Sequence, residues 1–154
     1  MLLGSAECSV DSKGRVSIPA KYLENLDGNR QFVLTRFFFE SDRYPEPYRC
    51  LDVYPIGEWE RFIREFRTKP RFDPNFVDFE NFYISEAHST TVDGHGRIFI
   101  PTNLREYAGL KKTVKFTAAL EKIRIWDKEC WERYSLEAET RLRKDRQIFI
   151  SLKL

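Results

Sequence analysis

Two short segments carry an acid and an arginine four residues apart, with a third polar residue midway. The six candidates are Asp11, Lys13 and Arg15 in one segment and Asp93, His95 and Arg97 in the other. An arginine at the base of an exposed turn can bind a phosphate, or contact O6 and N7 of a guanine in the major groove. A lysine at the tip of a turn also suits a phosphate. The acid could hold the guanidinium so that it points outward.

The same pattern has a purely structural interpretation. An aspartate that opens a tight turn can accept the turn amides, and the arginine can simply pair with that aspartate. The residues alone leave both interpretations open. The second turn is the weaker electrostatic candidate because His95 replaces Lys13, and His95 itself fits an exposed turn residue better than a contact. Gly14 and Gly96 fit backbone positions that require a positive φ.

Other kinds of site find little support in the sequence. Cys8, Cys50 and Cys130 are scattered and form no C-x-x-C pair, which argues against a zinc ribbon or a disulfide framework and favours a reduced, cytosolic setting. His88 has no ligand partner at metal spacing, so neither a metal nor another cofactor is expected. Nucleophile, phosphate-loop and zinc-protease motifs do not occur, so we expect no enzyme and no small-molecule substrate.

Composition allows one compact domain or two small ones. The 154 residues are 42% hydrophobic and 32% charged, with a net charge of +2. That charge permits a nucleic-acid partner without demanding one, so a DNA-binding surface must come from local clustering. We expect no membrane partner, because no apolar run approaches the roughly 20 residues that span a bilayer, and the first residues do not resemble a signal peptide.

The chain repeats itself. Residues 11–19 and 93–101 share Asp, Gly, Arg, Ile and Pro, and the triplet W-E-R recurs at 59–61 and 131–133. The second offset is shorter by ten residues, which fits an insertion in the first copy. We therefore predict a first repeat at 4–68 with an insertion at 37–49, a linker with a short helix at 69–84, a second repeat at 85–134, and a helical extension with a tail at 135–154.

Each repeat predicts a turn between two strands, followed by a short helix. Strands at 5–10 and 15–18 should form a hairpin around the first turn, and those at 89–92 and 97–100 should flank the second. Pro19 and Pro101 each open a helix, and Asp27 with Gly28 closes the first one. Further strands are predicted at 31–38, 51–54, 115–118 and 123–126, with helices after Pro55 and from Asp127 to about Lys144.

The last residues alternate in hydrophobicity. Ile148, Ile150, Leu152 and Leu154 predict a strand that has no partner within the chain. We expect this strand to dock on a neighbouring subunit or in a hydrophobic groove, because an unpaired edge is a liability. Units of about fifty residues bury too little surface to be stable alone. The two repeats could therefore share a barrel-like core, each lending its hairpin to the other.

Three motifs resemble those of the MraZ family of bacterial regulators. They are D-S-K-G-R-V-S-I-P-A-K at 11–21, V-D-G-H-G-R-I-F-I-P-T-N-L-R-E-Y-A-G-L at 92–110 and I-W-D-K-E-C-W-E at 125–132. The resemblance covers about residues 4–134. It implies an α+β, mainly β fold in which two tandem AbrB-like swapped-hairpin repeats form a pseudo-twofold barrel with flanking helices. The chain departs from the family pattern at Leu23, where an arginine is usual.

The resemblance also implies a function. Family members form ring-like homo-oligomers in the cytoplasm, associated with the nucleoid. They regulate transcription by binding short direct repeats of double-stranded DNA upstream of their operon for cell division and cell-wall synthesis. The family's D-x-x-x-R signature falls here on Asp11 with Arg15 and on Asp93 with Arg97, which makes both turns candidate DNA contacts. The alternative is a ring-forming structural or interaction protein that does not bind DNA.

Overall fold

The computed structural model describes residues 1–24, 26 and 28–154, which contain eight strands and six α-helices. The strands are β1 (Ser5–Ser9), β2 (Arg15–Ser17), β3 (Gln31–Phe39), β4 (Tyr48–Pro55), β5 (His88–Thr91), β6 (Arg97–Phe99), β7 (Thr113–Ala119) and β8 (Lys122–Asp127). The helices are α1 (Ala20–Leu23), α2 (Ile56–Phe66), α3 (Pro74–Phe79), α4 (Thr102–Tyr107), α5 (Lys128–Lys144) and α6 (Gln147–Ser151), with a π-helical turn at Glu80–Ile84.

Six strands form one antiparallel sheet in the order β1-β7-β8-β4-β3-β5. The pairs β3–β4 and β7–β8 are corresponding hairpins of the two sequence copies, and β4 pairs with β8 at the centre. The outer strands pair across the copies, since β1 joins β7 and β5 joins β3. The predicted α+β class is therefore confirmed, with an antiparallel sheet and several helices.

The predicted barrel is wrong. Over the described residues the sheet stays open at β1 and β5, while β2 and β6 pair only with each other as a two-stranded ribbon. The hairpin expected of β1 and β2 is likewise reduced to a single bridge between Val10 and Val16. The reason is the turn at 11–14, which redirects the chain so that β2 finds its ladder partner in β6 rather than in β1.

The core lies between the ribbon and one face of the sheet. Val16 and Ile98 are directly opposite each other in the ribbon and are each 1% exposed. They belong to one apolar cluster with side chains of the sheet and of the short helices; these include Tyr22, Phe32, Leu34, Leu51, Leu104, Phe116, Ile123 and Ile125. Pro19 and Pro101 precede α1 and α4, and their helices bury Tyr22 and Leu104 in this core. Packing of Val16 and Ile98 in this core thus holds in place β2 and β6, the strands that follow the two turns.

The insertion at 37–49 and the linker at 69–84 both contain regular structure. The predicted strand at 51–54 begins earlier, at Tyr48, because insertion residues continue the β3–β4 ladder to the pair Phe39–Tyr48. Glu137 of α5 accepts hydrogen bonds from the Ser41 hydroxyl and the Asp42 amide, which ties the insertion to that helix. The short helix expected at 69–84 is α3, and the π-helical turn follows it directly.

The C-terminal strand prediction is wrong, because residues 147–151 form α6. A lone strand would leave its backbone donors and acceptors unpaired, whereas a helix satisfies them internally. The Asp145 side chain accepts the Gln147 amide at 3.0 Å and starts this turn. Helix α5 ends at Lys144 as predicted, while α1 ends at Leu23, before Asp27, which lies outside the described residues.

Candidate nucleic-acid interface

The first turn is built around the side chain of Asp11. Its Oδ1 accepts the amides of Lys13 and Arg15, both at 2.9 Å, and its Oδ2 accepts Nε–H of Arg15 at 2.8 Å. The Gly14 amide donates to the Asp11 carbonyl at 3.0 Å and closes the turn. Gly14 has a φ of +80°, a conformation that side-chain-bearing residues rarely adopt. The aspartate, the glycine and the arginine therefore specify one another's positions.

The second turn reproduces this arrangement. Asp93 Oδ1 accepts the amides of His95 at 2.8 Å and Arg97 at 3.0 Å, and Oδ2 accepts Nε–H of Arg97 at 2.9 Å. Gly96 has a φ of +76° and donates its amide to the Asp93 carbonyl at 3.0 Å. One difference is that Nη2 of Arg97 lies 3.5 Å from Nδ1 of His95.

The ribbon joins the two turns, which lie at its opposite ends. Arg15 is paired with Phe99, and Arg97 is paired with Ser17, so the arginines are diagonal neighbours on one face. Diagonal neighbours in an antiparallel pair lie about 7–8 Å apart. Because Val16 and Ile98 face the core, alternation along the strands directs both arginines away from it. The structure therefore places both arginines on the outer face of the ribbon, with Asp11 and Lys13 at one end and Asp93 and His95 at the other.

Electrostatics keep both aspartates ionised. The backbone amide of Arg97 contributes most to lowering the pKa of Asp93 to about 2, helped by the His95 amide and the Arg97 side chain. The backbone amide of Arg15 likewise contributes most to lowering the pKa of Asp11. Each turn consequently carries an ionised carboxylate beside its arginine at neutral pH.

These bonds are those expected of a tight structural turn, but they do not occupy the whole guanidinium. Of the three guanidinium nitrogens of Arg15, only Nε is bonded to Asp11, and the two terminal nitrogens have no acceptor among the described residues. The Arg15 side chain is 32% exposed. An arginine fixed at Nε, with its terminal nitrogens available, can present a planar donor pair to a phosphate or a base edge.

Sequence reasoning missed two cations beside the first turn. The guanidinium of Arg105, from α4, lies against Gly14, and Lys112 precedes β7. The Arg105 Nη2 donates to the Thr102 hydroxyl at 2.8 Å. The sequence repeat contained a signal for Arg105, because aligning the two copies places this arginine opposite Leu23 of the first copy. Only the pairing of β2 with β6 reveals that each helix supports the turn of the other copy.

The described residues offer no other obvious chemistry. They contain no group of three or more His, Cys, Asp or Glu side chains arranged to bind a metal ion. Within the same residues no helix is long and apolar enough to cross a membrane. Burial raises the pKa of the Cys8, Cys50 and Cys130 thiols, so none of them is activated as a thiolate.

Comparison with known proteins gives a consistent family. The family described as "MraZ protein, putative antitoxin-like" matches residues 1–41 and 83–149. These segments contain both turns, the ribbon and all of α5. The intervening residues 42–82, which the family match omits, contain part of the insertion, β4, α2 and α3.

Individual relatives match over most of their length. A protein of Caldanaerobacter subterraneus subsp. tengcongensis named "Transcriptional regulator MraZ" is 39% identical over 135 residues, which is 88% of this chain and 87% of the relative. A protein of the same name from Pelotomaculum thermopropionicum is 35% identical over 154 residues, covering 100% of this chain and 99% of the relative. With the matched turns and this coverage, the chain belongs to the MraZ family.

Proposed function

We propose that the chain is a transcriptional regulator that binds double-stranded DNA through its two D-x-x-x-R turns. The observation that carries this proposal is the ribbon register, which sets Arg15 and Arg97 as diagonal neighbours on the face that points away from the core. The relatives named as transcriptional regulators support the same function. In this proposal the chain is not an enzyme.

Each residue of the first turn has a distinct role in the proposal. Arg15 contacts a base edge or a phosphate with its terminal nitrogens, while Asp11 holds Nε and fixes the direction of the guanidinium. Lys13, at the exposed tip, binds a phosphate. Arg97 and Asp93 repeat the arrangement more weakly, because His95 supplies no fixed charge where Lys13 does and lies next to Arg97.

The proposed assembly is a homo-oligomeric ring. Large apolar side chains are exposed along the C-terminal segment, and another subunit of the same chain would bury them. These side chains are Leu136, Leu142, Ile148, Ile150, Leu152 and Leu154. A head-to-tail contact that closes makes a ring, and a ring presents many identical turns to short direct repeats upstream of the operon. We place this activity in the cytoplasm, at the nucleoid, on genes for cell division and cell-wall synthesis.

We propose that the fold consists of two tandem AbrB-like swapped-hairpin repeats, at 4–68 and 85–134. Three strand pairings support it, since β1 with β7, β2 with β6 and β5 with β3 each join different copies. In this account each repeat lends the strands around its turn to the other. The intervening linker at 69–84 and the extension at 135–154 are additions to the repeated unit.

An electrophoretic mobility shift tests the proposed function. The probe is a duplex from the region upstream of the chain's own gene, and a scrambled duplex of equal length is the control. We expect the upstream duplex to shift at lower protein concentration than the scrambled one. Equal shifts would contradict sequence specificity, and the absence of any shift would favour a ring-forming interaction protein without DNA binding.

A further inference from the structure

The guanidinium of Arg105 packs against Gly14 of the first turn. A Cβ placed on Gly14 would lie 2.6 Å from Cζ of Arg105, so the arginine occupies the space that only a glycine leaves open. Its Nε is buried and has no acceptor among the described residues, while Nη2 is bonded to the neutral Thr102 hydroxyl. No acidic side chain of the described residues forms an ion pair with Arg105.

Lys112 lies beside the residue that precedes the same turn. Its carbonyl accepts the amide of Val10 at 2.8 Å, which fixes the lysine backbone next to the residue before Asp11. The Lys112 side chain is exposed and pairs with no acid in the described part of the chain, unlike Lys111, which contacts Asp127 and Glu129. Both lysines and Arg105 line one open groove along the turn, where Glu106 is the acid besides Asp11.

The second turn has the corresponding backbone contacts but fewer positively charged side chains around it. The Arg30 carbonyl accepts the Val92 amide at 2.8 Å, as the Lys112 carbonyl does for Val10. Leu23 takes the place of Arg105, with its Cδ1 3.9 Å from a Cβ built on Gly96. Three equivalent positions lose a fixed positive charge on passing from the first turn to the second; the pairs are Lys13 and His95, Arg105 and Leu23, and Lys111 and Asn29.

We propose that the first turn is a composite DNA site. In this site Arg105 and Lys112, from the second sequence repeat of the same chain, bind backbone phosphates beside the contact made by Arg15. This inference rests on the proposed DNA binding. It adds a sequence-independent part to the site, because phosphate contacts position the protein without reading bases. It also makes the first turn the dominant anchor, since the second turn keeps only Arg30 of the flanking cations.

Two variants isolate the flanking cations. Arg105→Leu introduces the residue that the second turn already tolerates against its glycine, so packing is retained while the charge is lost. Lys112→Gln removes a charge from an exposed side chain without disturbing its carbonyl bond to Val10. The matched control is Arg30→Gln, which removes the corresponding cation at the second turn. Arg15→Ala in the same series reports separately on the proposed function.

The measurement is a binding titration over a series of salt concentrations, with an upstream duplex and an unrelated duplex of equal length. Arg105→Leu and Lys112→Gln should each weaken binding to both duplexes alike and reduce the salt slope by about one unit per engaged turn. Arg30→Gln should change the slope much less.

Wild-type slopes for both variants, with Arg15→Ala still defective, would overturn the composite site and leave the proposed function standing. An Arg30→Gln effect as large as that of Lys112→Gln would overturn the asymmetry between the turns. If Arg105→Leu loses thermal stability, Lys112→Gln alone decides, because its side chain makes no packing contact in the core cluster. Binding unchanged by Arg15→Ala would instead contradict the proposed function.

Discussion

The amide of Ile18 donates a hydrogen bond to the carbonyl of Gly96 at 2.9 Å. The symmetric bond runs from the amide of Ile100 to the carbonyl of Gly14 at 2.8 Å. The strand that leaves each turn is therefore held by the glycine of the other turn. Because both bonds are made by the backbone, the two turns form one unit whose geometry depends on both glycines.

Gly14→Ala should destabilise the protein more than Gly96→Ala. Both substitutions place a Cβ at a positive φ, which costs about 1–2 kcal/mol. At Gly14 the added Cβ would also lie 2.6 Å from Cζ of Arg105 and would displace the end of that flexible side chain at a small further cost, whereas at Gly96 its nearest neighbour is Leu23 at 3.9 Å. Urea unfolding of the two variants measures the difference. An equal or larger loss for Gly96→Ala would contradict the packing of Arg105 on the first turn.

Asp93→Asn should lose stability at neutral pH but not in acid. The folded pKa of Asp93 is lowered from 3.8 to about 2, so its ionised form stabilises the fold above the unfolded pKa. That contribution is lost as the pH falls from about 4 to about 2. The difference in unfolding free energy between wild type and variant should therefore be constant near neutrality and shrink over this range. A difference that persists unchanged to the acid end would contradict the hydrogen bonds of the second turn.

Tyr83→Phe should destabilise the fold through a buried ionic cluster. Asp52 is 0% exposed and is bonded to Lys122 and Arg124, both at 2.9 Å, and to the Tyr83 hydroxyl. Removing that hydroxyl leaves the buried carboxylate short of a donor, at a cost of about 1–3 kcal/mol.

The control for this change is Tyr134→Phe. Tyr134 also packs among aromatic rings, 4.9 Å from Trp126, but its hydroxyl makes no hydrogen bond within the described residues. Thermal and urea unfolding should show a clear loss for Tyr83→Phe and little change for Tyr134→Phe. Equal effects would mean that the hydroxyl of Tyr83 does not anchor the π-helical turn to the sheet.

Deleting the residues after Arg146 should alter assembly rather than folding. Ile148, Ile150 and Leu152 of this segment are 50–65% exposed, and none of them belongs to the core cluster. We expect an unchanged circular dichroism spectrum of the folded protein and a smaller mass by light scattering, because the exposed apolar helix is proposed to pack on another subunit. Unchanged assembly size and solubility would show that the segment has no role in self-association.

Much of the site was predictable because its information is local. An aspartate, a glycine and an arginine within five residues specify a turn through their own backbone and side-chain bonds, and the repeat placed two such turns in equivalent positions. The pairing of Arg15 with Phe99 depends on which distant strand β2 selects, so the open sheet and the role of Arg105 were not predictable from periodicity. Short apolar alternation also fails to separate a strand from a helix, which explains the wrong prediction for residues 147–151.

The most direct test of the central claim is a titration of the upstream duplex with wild type, Arg15→Ala and Arg97→Ala, at two salt concentrations. Arg143→Ala, on the exposed part of α5, is the matched control, and every variant is first checked for wild-type assembly size. If Arg15 reads a base, Arg15→Ala should lose about 1–3 kcal/mol of binding free energy per engaged turn. Arg97→Ala should lose less, and Arg143→Ala should bind like wild type. An assembled Arg15→Ala variant that binds as tightly as wild type would contradict the account and leave the turn with a structural role alone.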